Sequence, residues 1–412
     1  MKRRVVITGM GAMTPLGHTV KKSWEGVKRQ ECGIAPITLF DTSDFKVKIA
    51  AEVKDFCPEN YVDKKEASRM DRFTQIAMAV AEEAILDSEL VLEKEDLDRM
   101  GVLFSSGIGG LGTIETEHSR GLERGFDKVS PFFIPMSIIN IAAAHIAIRY
   151  GITGMCSGPV TACASGTNAV GDAFRQIRDG YQDIFLCGGT EASITHLGIG
   201  GFTALRALSS TNDPKRASIP FDKERSGFVM GEGAGALILE EYEHAVRRGA
   251  EIYGEIVGYG ATCDAYHITA PAPGGIGASK AMKMAIEDAG VDKTEVGYIN
   301  AHGTSTQIND REETTAVRLV FGEYAEQLCM SSTKSYTGHL LGASGAVEAI
   351  FTVKSLQDGY LPATINFKEK DPDCDLDILA NASKEKEIRY AMSNSFGFGG
   401  HNASILLKKW EE

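Results

Sequence analysis

Several common features are scarce or missing in this chain, and each gap closes off a class of function. No apolar run approaches the roughly 20 residues of a membrane-spanning helix. The start, Met1-Lys2-Arg3-Arg4, runs straight into a strand pattern rather than into the apolar stretch of a signal peptide. The eight cysteines contain no Cys-x-x-Cys pair and no regular spacing, so neither structural zinc nor a disulfide framework is expected, and a reduced, cytoplasmic protein is. Positive charge is in deficit: 43 Lys and Arg against 56 Asp and Glu leave a net −13, the wrong sign for nucleic acid or an anionic membrane as general partner. No low-complexity segment or flexible linker divides the chain.

What is present reads as a soluble α/β enzyme. The 412 residues exceed one ordinary core, so two domains or a duplicated one is expected. The 45 glycines gather in short clusters at 107–112, 198–201, 231–235 and 397–400, a pattern of tight turns around a site. Val5–Gly11, Gly101–Phe104 and Asp183–Gly189 read as buried strands. Ile76, Ala77, Val80, Ala81, Ala84 and Ile85 make a helical face. Residues 113–160 read as a long irregular insertion, closing on a strand that ends near Val160. Pro159 cannot donate to a ladder, which argues against a regular central strand there.

Thr161-Ala162-Cys163-Ala164-Ser165-Gly166 leads from that strand into a helix whose buried face is Val170, Phe174 and Ile177. At such a turn the helix's positive end favours thiolate over thiol, and the small neighbours leave the sulfur open. A lone cysteine is more often a buried structural one, so the turn alone assigns nothing.

The second half repeats the first. Ala164-Ser165-Gly166 and Asp179-Gly180-Tyr181 recur as Ala343-Ser344-Gly345 and Asp358-Gly359-Tyr360, an offset of 179. Met100-Gly101 recurs as Val296-Gly297 at 196, Ala84-Ile85 as Ala285-Ile286 at 201, and the Ile7–Gly11 strand as Ile256–Gly260 at 249. Same order and faces with different loops describe a duplicated α/β unit, stacked sheet on sheet, with sites where strand ends meet. The division falls near residue 250: residues 1–250 carry Cys163 and the insertions, and residues 251–412 carry His302, Lys334 and His339.

Three glycine-rich turns of the second half hold reactive residues: Asn300-Ala301-His302-Gly303-Thr304-Ser305-Thr306, Ser332-Thr333-Lys334-Ser335-Tyr336-Thr337-Gly338-His339, and Ser393 through Asn402. If the repeat holds, they face the Cys163 turn, bringing one thiol, two imidazoles and a loop of free amides together.

Thr-Ala-Cys-Ala-Ser-Gly, Asn-Ala-His-Gly-Thr-Ser-Thr, Lys-Ser-x-Thr-Gly-His and Gly-Phe-Gly-Gly, in this order, resemble the bacterial β-ketoacyl-acyl-carrier-protein synthases II, over essentially the whole chain. The resemblance implies a thiolase-like fold of five layers (αβαβα), a homodimer, and acyltransfer by decarboxylative Claisen condensation in fatty acid synthesis. It makes Cys163 the nucleophile, His302 and His339 the donors to the enolate, and Lys334 a fixed cation with Glu348 as partner. The Cys163 and Phe398 amides would form the oxyanion hole, with Phe396, Phe398 and Gly399 in the gate. Thr304 and Thr306 would hold the pantetheine arm, and Asp264, His267 and Thr269 lie on a second mobile loop. Ile108, Phe133 and Phe202 match acyl-pocket positions, although from the residues alone each is simply core.

The implied partner is acyl carrier protein, whose 4′-phosphopantetheine the substrates bring with them; no cofactor or catalytic metal of the enzyme's own is expected. Family members sometimes hold a structural cation near positions matching Asn300, Glu348, Ser393 and Asn394, but spacing alone shows no ligand set. Lys65, Arg69 and Arg72 stand at i, i+4, i+7 on one expected helix face beside Lys64. With Lys128 and Arg206 they offer a local basic patch to an acidic carrier. Tyr336 and His401 replace the more usual Met and Thr.

Other readings remain at this level. Gly107-Ile108-Gly109-Gly110-Leu111-Gly112 fits a dinucleotide fingerprint, weak in isolation. An inert chain-length subunit would lack Cys163, and thiolases or type III synthases carry other motifs. A polyketide ketosynthase shares the same Cys-His-His set and is the serious alternative.

Overall fold

The structure, a computed structural model, describes residues 2–411. One ten-stranded sheet organises it: β1 (Val5–Met13), β2 (Met100–Ser105), β3 (Cys156–Ser157), β4 (Ile184–Glu191), β5 (Gly233–Glu241), β6 (Gly254–Cys263), β7 (Val296–Asn300), β8 (Cys329–Ser331), β9 (Tyr390–Gly397) and β10 (His401–Lys409). The order is β8-β7-β9-β10-β6-β1-β5-β4-β2-β3. It reads the same from either edge once β1 is matched to β6, β2 to β7, β3 to β8, β4 to β9 and β5 to β10. Within the sheet the halves are joined where Val5, Val6 and Ile7 pair antiparallel with Ile256, Glu255 and Gly254.

Eight of the helices form the layers and the insertion: α1 (Arg72–Asp87), α2 (Leu111–Arg124), α3 (Phe133–Ser137), α4 (Ile141–Tyr150), α5 (Ser165–Arg178), α6 (Ile276–Ala289), α7 (Gln307–Phe321) and α8 (Ser344–Asp358). Strand alternation sorts the core into layers. Leu103, Phe185, Leu237, Ile405 and Leu407 point inward onto Val170 and Phe174 of α5 and Ile350 and Val353 of α8. Their chain neighbours Val102, Phe104, Ile184 and Leu186 point outward under α1 and α4. On the other half Val296, Ile299 and Met392 lie under α6 and α7. Helix, sheet, helix pair, sheet, helix: the five expected layers, with α5 and α8 at the centre.

Three local expectations are corrected. Residues 113–160 are not irregular; α2, α3 and α4 occupy most of them. The strand expected to end near Val160 is the two-residue β3, at the sheet edge, and the chain leaves it before Pro159. Lys65, Arg69 and Arg72 do not share a helix. The short helix Lys64–Ala67 stops, and Asp71 starts α1 afresh by accepting the Phe73 amide at 3.2 Å.

Candidate active site

Cys163 lies in a single 3₁₀ turn, Ala162–Ala164, that runs into α5. Ala162 has φ +51°, the left-handed region that costs a residue with a Cβ. Its counterpart 179 positions on, Leu341, has φ +49° in the turn before α8, so the duplication preserves even the strain. Ser165 Oγ accepts the Thr161 amide at 2.9 Å and ties the turn closed. The end of β9 passes directly over it: a Cβ on Gly397 would fall 2.6 Å from the Thr161 carbonyl oxygen and 3.1 Å from the Cys163 nitrogen. Only glycine allows that approach. Gly399 and Gly400, at φ +86° and +75°, then turn the chain into β10.

The amides of Phe398 and of Cys163 itself face the sulfur. They do not make it a resting thiolate, contrary to the expectation from the helix end. Burial pushes the Cys163 thiol up to about 12, against the opposing pull of Lys334 and the two amides. Desolvation wins because the sulfur sits at the floor of a cavity rather than at an exposed helix terminus.

His302 and His339 lie edge to face, their ring centroids 5.3 Å apart. Both are buried and held neutral, their pKa values well below the ordinary 6.5 through desolvation first and Lys334 next. His339 Nδ1 accepts the Leu341 amide at 3.3 Å, so it carries no proton, and Ser344 Oγ at 2.9 Å donates to it. The remaining proton is therefore on Nε2. His302 is fixed from its backbone: Glu313 accepts the His302 and Gly303 amides at 2.9 and 2.8 Å. His302 Nδ1 has no partner among the described residues.

Lys334 is paired with Glu348 in the interior, both nearly inaccessible. Burial lifts Glu348 to about 7 against the pull of Lys334, and its Oε2 has no hydrogen-bond partner among the described residues, nor has Ser393 Oγ. Asn300 Oδ1 accepts Thr333 Oγ1 at 3.4 Å and Asn394 Oδ1 accepts Ser404 Oγ at 2.8 Å, so these two amides are engaged within the protein. Among the described residues no three His, Cys, Asp or Glu side chains gather as for a metal.

A cavity of 590 Å³ joins the thiol and the two imidazoles. Cys163, His302, His339, Phe396 and Phe398 line it, as do Ile108, Phe202, Arg206, Thr269, Thr304 and Thr306. Thr304 and Thr306 share a hydroxyl hydrogen bond of 2.9 Å. Asp264 reaches the wall and accepts Asn402 Nδ2 at 2.8 Å, while His267 is exposed, its Nδ1 accepting the Thr269 amide at 3.1 Å. Phe133 is not in this cavity. It lies on α3 at the surface, between exposed Phe132 and Ile134, because the helices of the insertion carry it away from the chain's own pocket. Lys64, Lys65, Arg69, Lys128 and Arg206 are all exposed. Arg69 stacks on Phe132 at 4.6 Å, whereas Arg72 is committed to the buried Glu232 at 2.7 Å. Tyr336 is buried and His401 half-buried against Gly399.

The dinucleotide reading fails on its own amides. Gly107 and Ile108 donate to Glu191 at 2.8 and 3.3 Å, so a buried carboxylate occupies the place a pyrophosphate would need. Glu191 and Glu313 were not singled out from the sequence. Glu313 carried a signal: with Ala316, Val317 and Val320 it completes an i, i+3, i+4, i+7 apolar stripe, where a carboxylate is out of place.

Comparison with known proteins places the chain in a family. The model of the β-ketoacyl synthase N-terminal domain matches residues 2–245, and that of the C-terminal domain residues 253–368. The chain is 52% identical over 409 residues to the 3-oxoacyl-[acyl-carrier-protein] synthase 2 of Staphylococcus aureus (strain COL), covering 99% of each. It is 51% identical over 411 residues to the synthase of that name from Synechocystis sp., covering 100% of this chain and 99% of that one. Among solved structures, a ketosynthase bound to a hexaketide, in complex with its type II polyketide acyl-carrier protein, superposes with a TM-score of 0.92 at 34% identity over the whole of both chains. Matched in both halves, and half identical to these synthases from end to end, the chain belongs to the β-ketoacyl synthase family.

Proposed function

We propose that the protein is a 3-oxoacyl-acyl-carrier-protein synthase of type II, extending an acyl chain by two carbons from a malonyl unit. One observation carries this: a cysteine thiol under two amides shares a cavity with two neutral imidazoles, one of them a defined Nε2–H donor. In this reading Cys163 Sγ attacks the acyl thioester carbonyl while the Cys163 and Phe398 amides receive the oxyanion. The carbon–sulfur bond to the carrier breaks, and the cysteine proton leaves with the carrier's thiol. Malonyl thioester then enters, and loss of its carboxyl group as carbon dioxide puts charge on the thioester oxygen. His339 Nε2–H and the His302 ring meet that charge without changing protonation state. The enolate carbon attacks the Cys163-bound carbonyl, the 3-oxoacyl carrier departs, and the cysteine takes up one proton.

Burial first and Lys334 second keep both imidazoles neutral, and Thr304 and Thr306 would receive the pantetheine arm. The chemistry draws on no cofactor beyond that arm. The carrier docks on Lys64, Lys65, Arg69, Lys128 and Arg206, the last of which stands at the cavity rim. The protein works in the cytoplasm as a homodimer. Edge strand β3, with exposed Cys156, Met155, Val160, Ile134 and Ile138 around it, is the face a second copy would cover. A polyketide ketosynthase uses the same residues, but 52% identity to fatty-acid-type synthases against 34% to the polyketide enzyme favours the former.

The test is the two half-reactions on Cys163→Ala. Mass spectrometry is expected to show no acyl-enzyme with any carrier, while malonyl-carrier decarboxylation persists. A covalent acyl-enzyme on the variant would remove Cys163 as nucleophile.

A further inference from the structure

The buried carboxylate of Glu191, at the end of β4, has no part in the chemistry above, yet it touches both walls of the cavity. Its Oε2 accepts the Gly107 amide at 2.8 Å and the Gly342 amide at 3.1 Å. Its Oε1 accepts the Ile108 amide at 3.3 Å and the Ser106 and Ser193 hydroxyls at 3.0 Å each. Gly342 lies 179 positions after Cys163, so its amide is the counterpart of the nucleophile's own. In one half of the molecule that turn opens onto the cavity; in the other, Glu191 closes it. The two segments it joins are in backbone contact, since a Cβ on Gly342 would fall 2.2 Å from the Gly107 nitrogen. Ile108 and Leu341, the next residues along each segment, both line the cavity.

We propose that Glu191 is a positioning residue of the condensing site, a clamp that holds the Gly107–Ile108 wall against the Leu341–Gly342 wall and so sets the acyl space beside Cys163. This rests on the condensing reading. A carboxylate suits the place because it only accepts, and three of its five partners are backbone N–H groups that can only donate. Burial pushes its pKa up, and the Gly342 and Gly107 amides with the Ser193 and Ser106 hydroxyls oppose that. Glutamine cannot substitute: whichever oxygen becomes NH₂, it meets a backbone N–H.

Acylation by carriers of graded chain length tests the clamp. Glu191→Gln is expected to lose at least about tenfold in acyl transfer from long chains and much less from short ones. Ser106→Ala removes one hydroxyl donor, together with its bond to the Gly109 amide at 3.0 Å, and leaves the backbone donors in place. It should fold even if Glu191→Gln does not, and lose about threefold on long chains only. Rates unchanged at every length, or falling equally at every length, overturn the clamp. Alkylation of Cys163 needs no carrier and separates the two claims. N-alkyl iodoacetamides of graded chain length report the space beside the sulfur directly, and in Glu191→Gln the long reagents should slow relative to iodoacetamide itself. If they do while the wild type acylates from no carrier, the condensing reading fails and the clamp holds; an unchanged ratio of long to short reagents overturns the clamp.

Discussion

If His302 and His339 are stored as neutral donors, the protein should lose stability in mild acid, and by an amount the two rings set. Each ring's folded pKa lies well below 6.5, so on acidification the unfolded chain takes up a proton that the folded one refuses. Stability then rises with pH across the window from the folded pKa up to about 6.5 and is flat above it. Between pH 7.5 and 5.5 each ring should account for on the order of 1 kcal/mol of lost stability, and the pair for roughly twice that. Glu313 and Glu348 oppose this. Both are lifted to about 7 from 4.5, so each contributes stability that is complete below 4.5 and lost as pH rises through 7. The whole-protein curve therefore mixes signs, and the difference between wild type and the His302→Asn, His339→Asn double variant isolates the rings. Urea unfolding at pH 7.5, 6.5 and 5.5 supplies it. Wild type is expected to lose roughly 2–3 kcal/mol more than the variant across that range. Parallel curves would mean that the folded protein protonates its imidazoles as readily as the unfolded chain does. The neutral-donor argument would then be wrong.

Two further changes probe the cavity and its approach. Ile108→Phe should shorten the longest chain accepted, each excluded methylene forfeiting about 0.8 kcal/mol of burial; acylation kinetics over graded carriers check this, and an equal loss at all lengths would make Ile108 ordinary core. Lys65→Glu with Arg69→Glu should raise KM for acyl carrier protein several-fold, more at low salt, and leave turnover of a small pantetheine thioester unchanged. Equal losses on both substrates would place the defect in folding or chemistry.

Much of the architecture was legible along the chain because its signals are local. Helix faces recur every three or four residues, buried strands alternate, and the duplication shows in segments repeated in the same order, as where an offset of 179 carries Ala164-Ser165-Gly166 onto Ala343-Ser344-Gly345. Cys163, His302 and His339 announced themselves by small residues packed around one reactive group. What the sequence could not determine depends on surroundings contributed by distant segments. The Cys163 thiol is raised because the fold desolvates it, overriding the helix end that the sequence displays. Phe133 reads as a pocket residue, but the helices of the insertion hold it half-buried outside this chain's own cavity. Lys65, Arg69 and Arg72 share a face only if the helix continues, and Asp71 interrupts it. Of the partners of Glu191 only Ser193 is near it in sequence; its meaning comes from amides 84 and 151 positions away, which only the folded chain brings to one carboxylate.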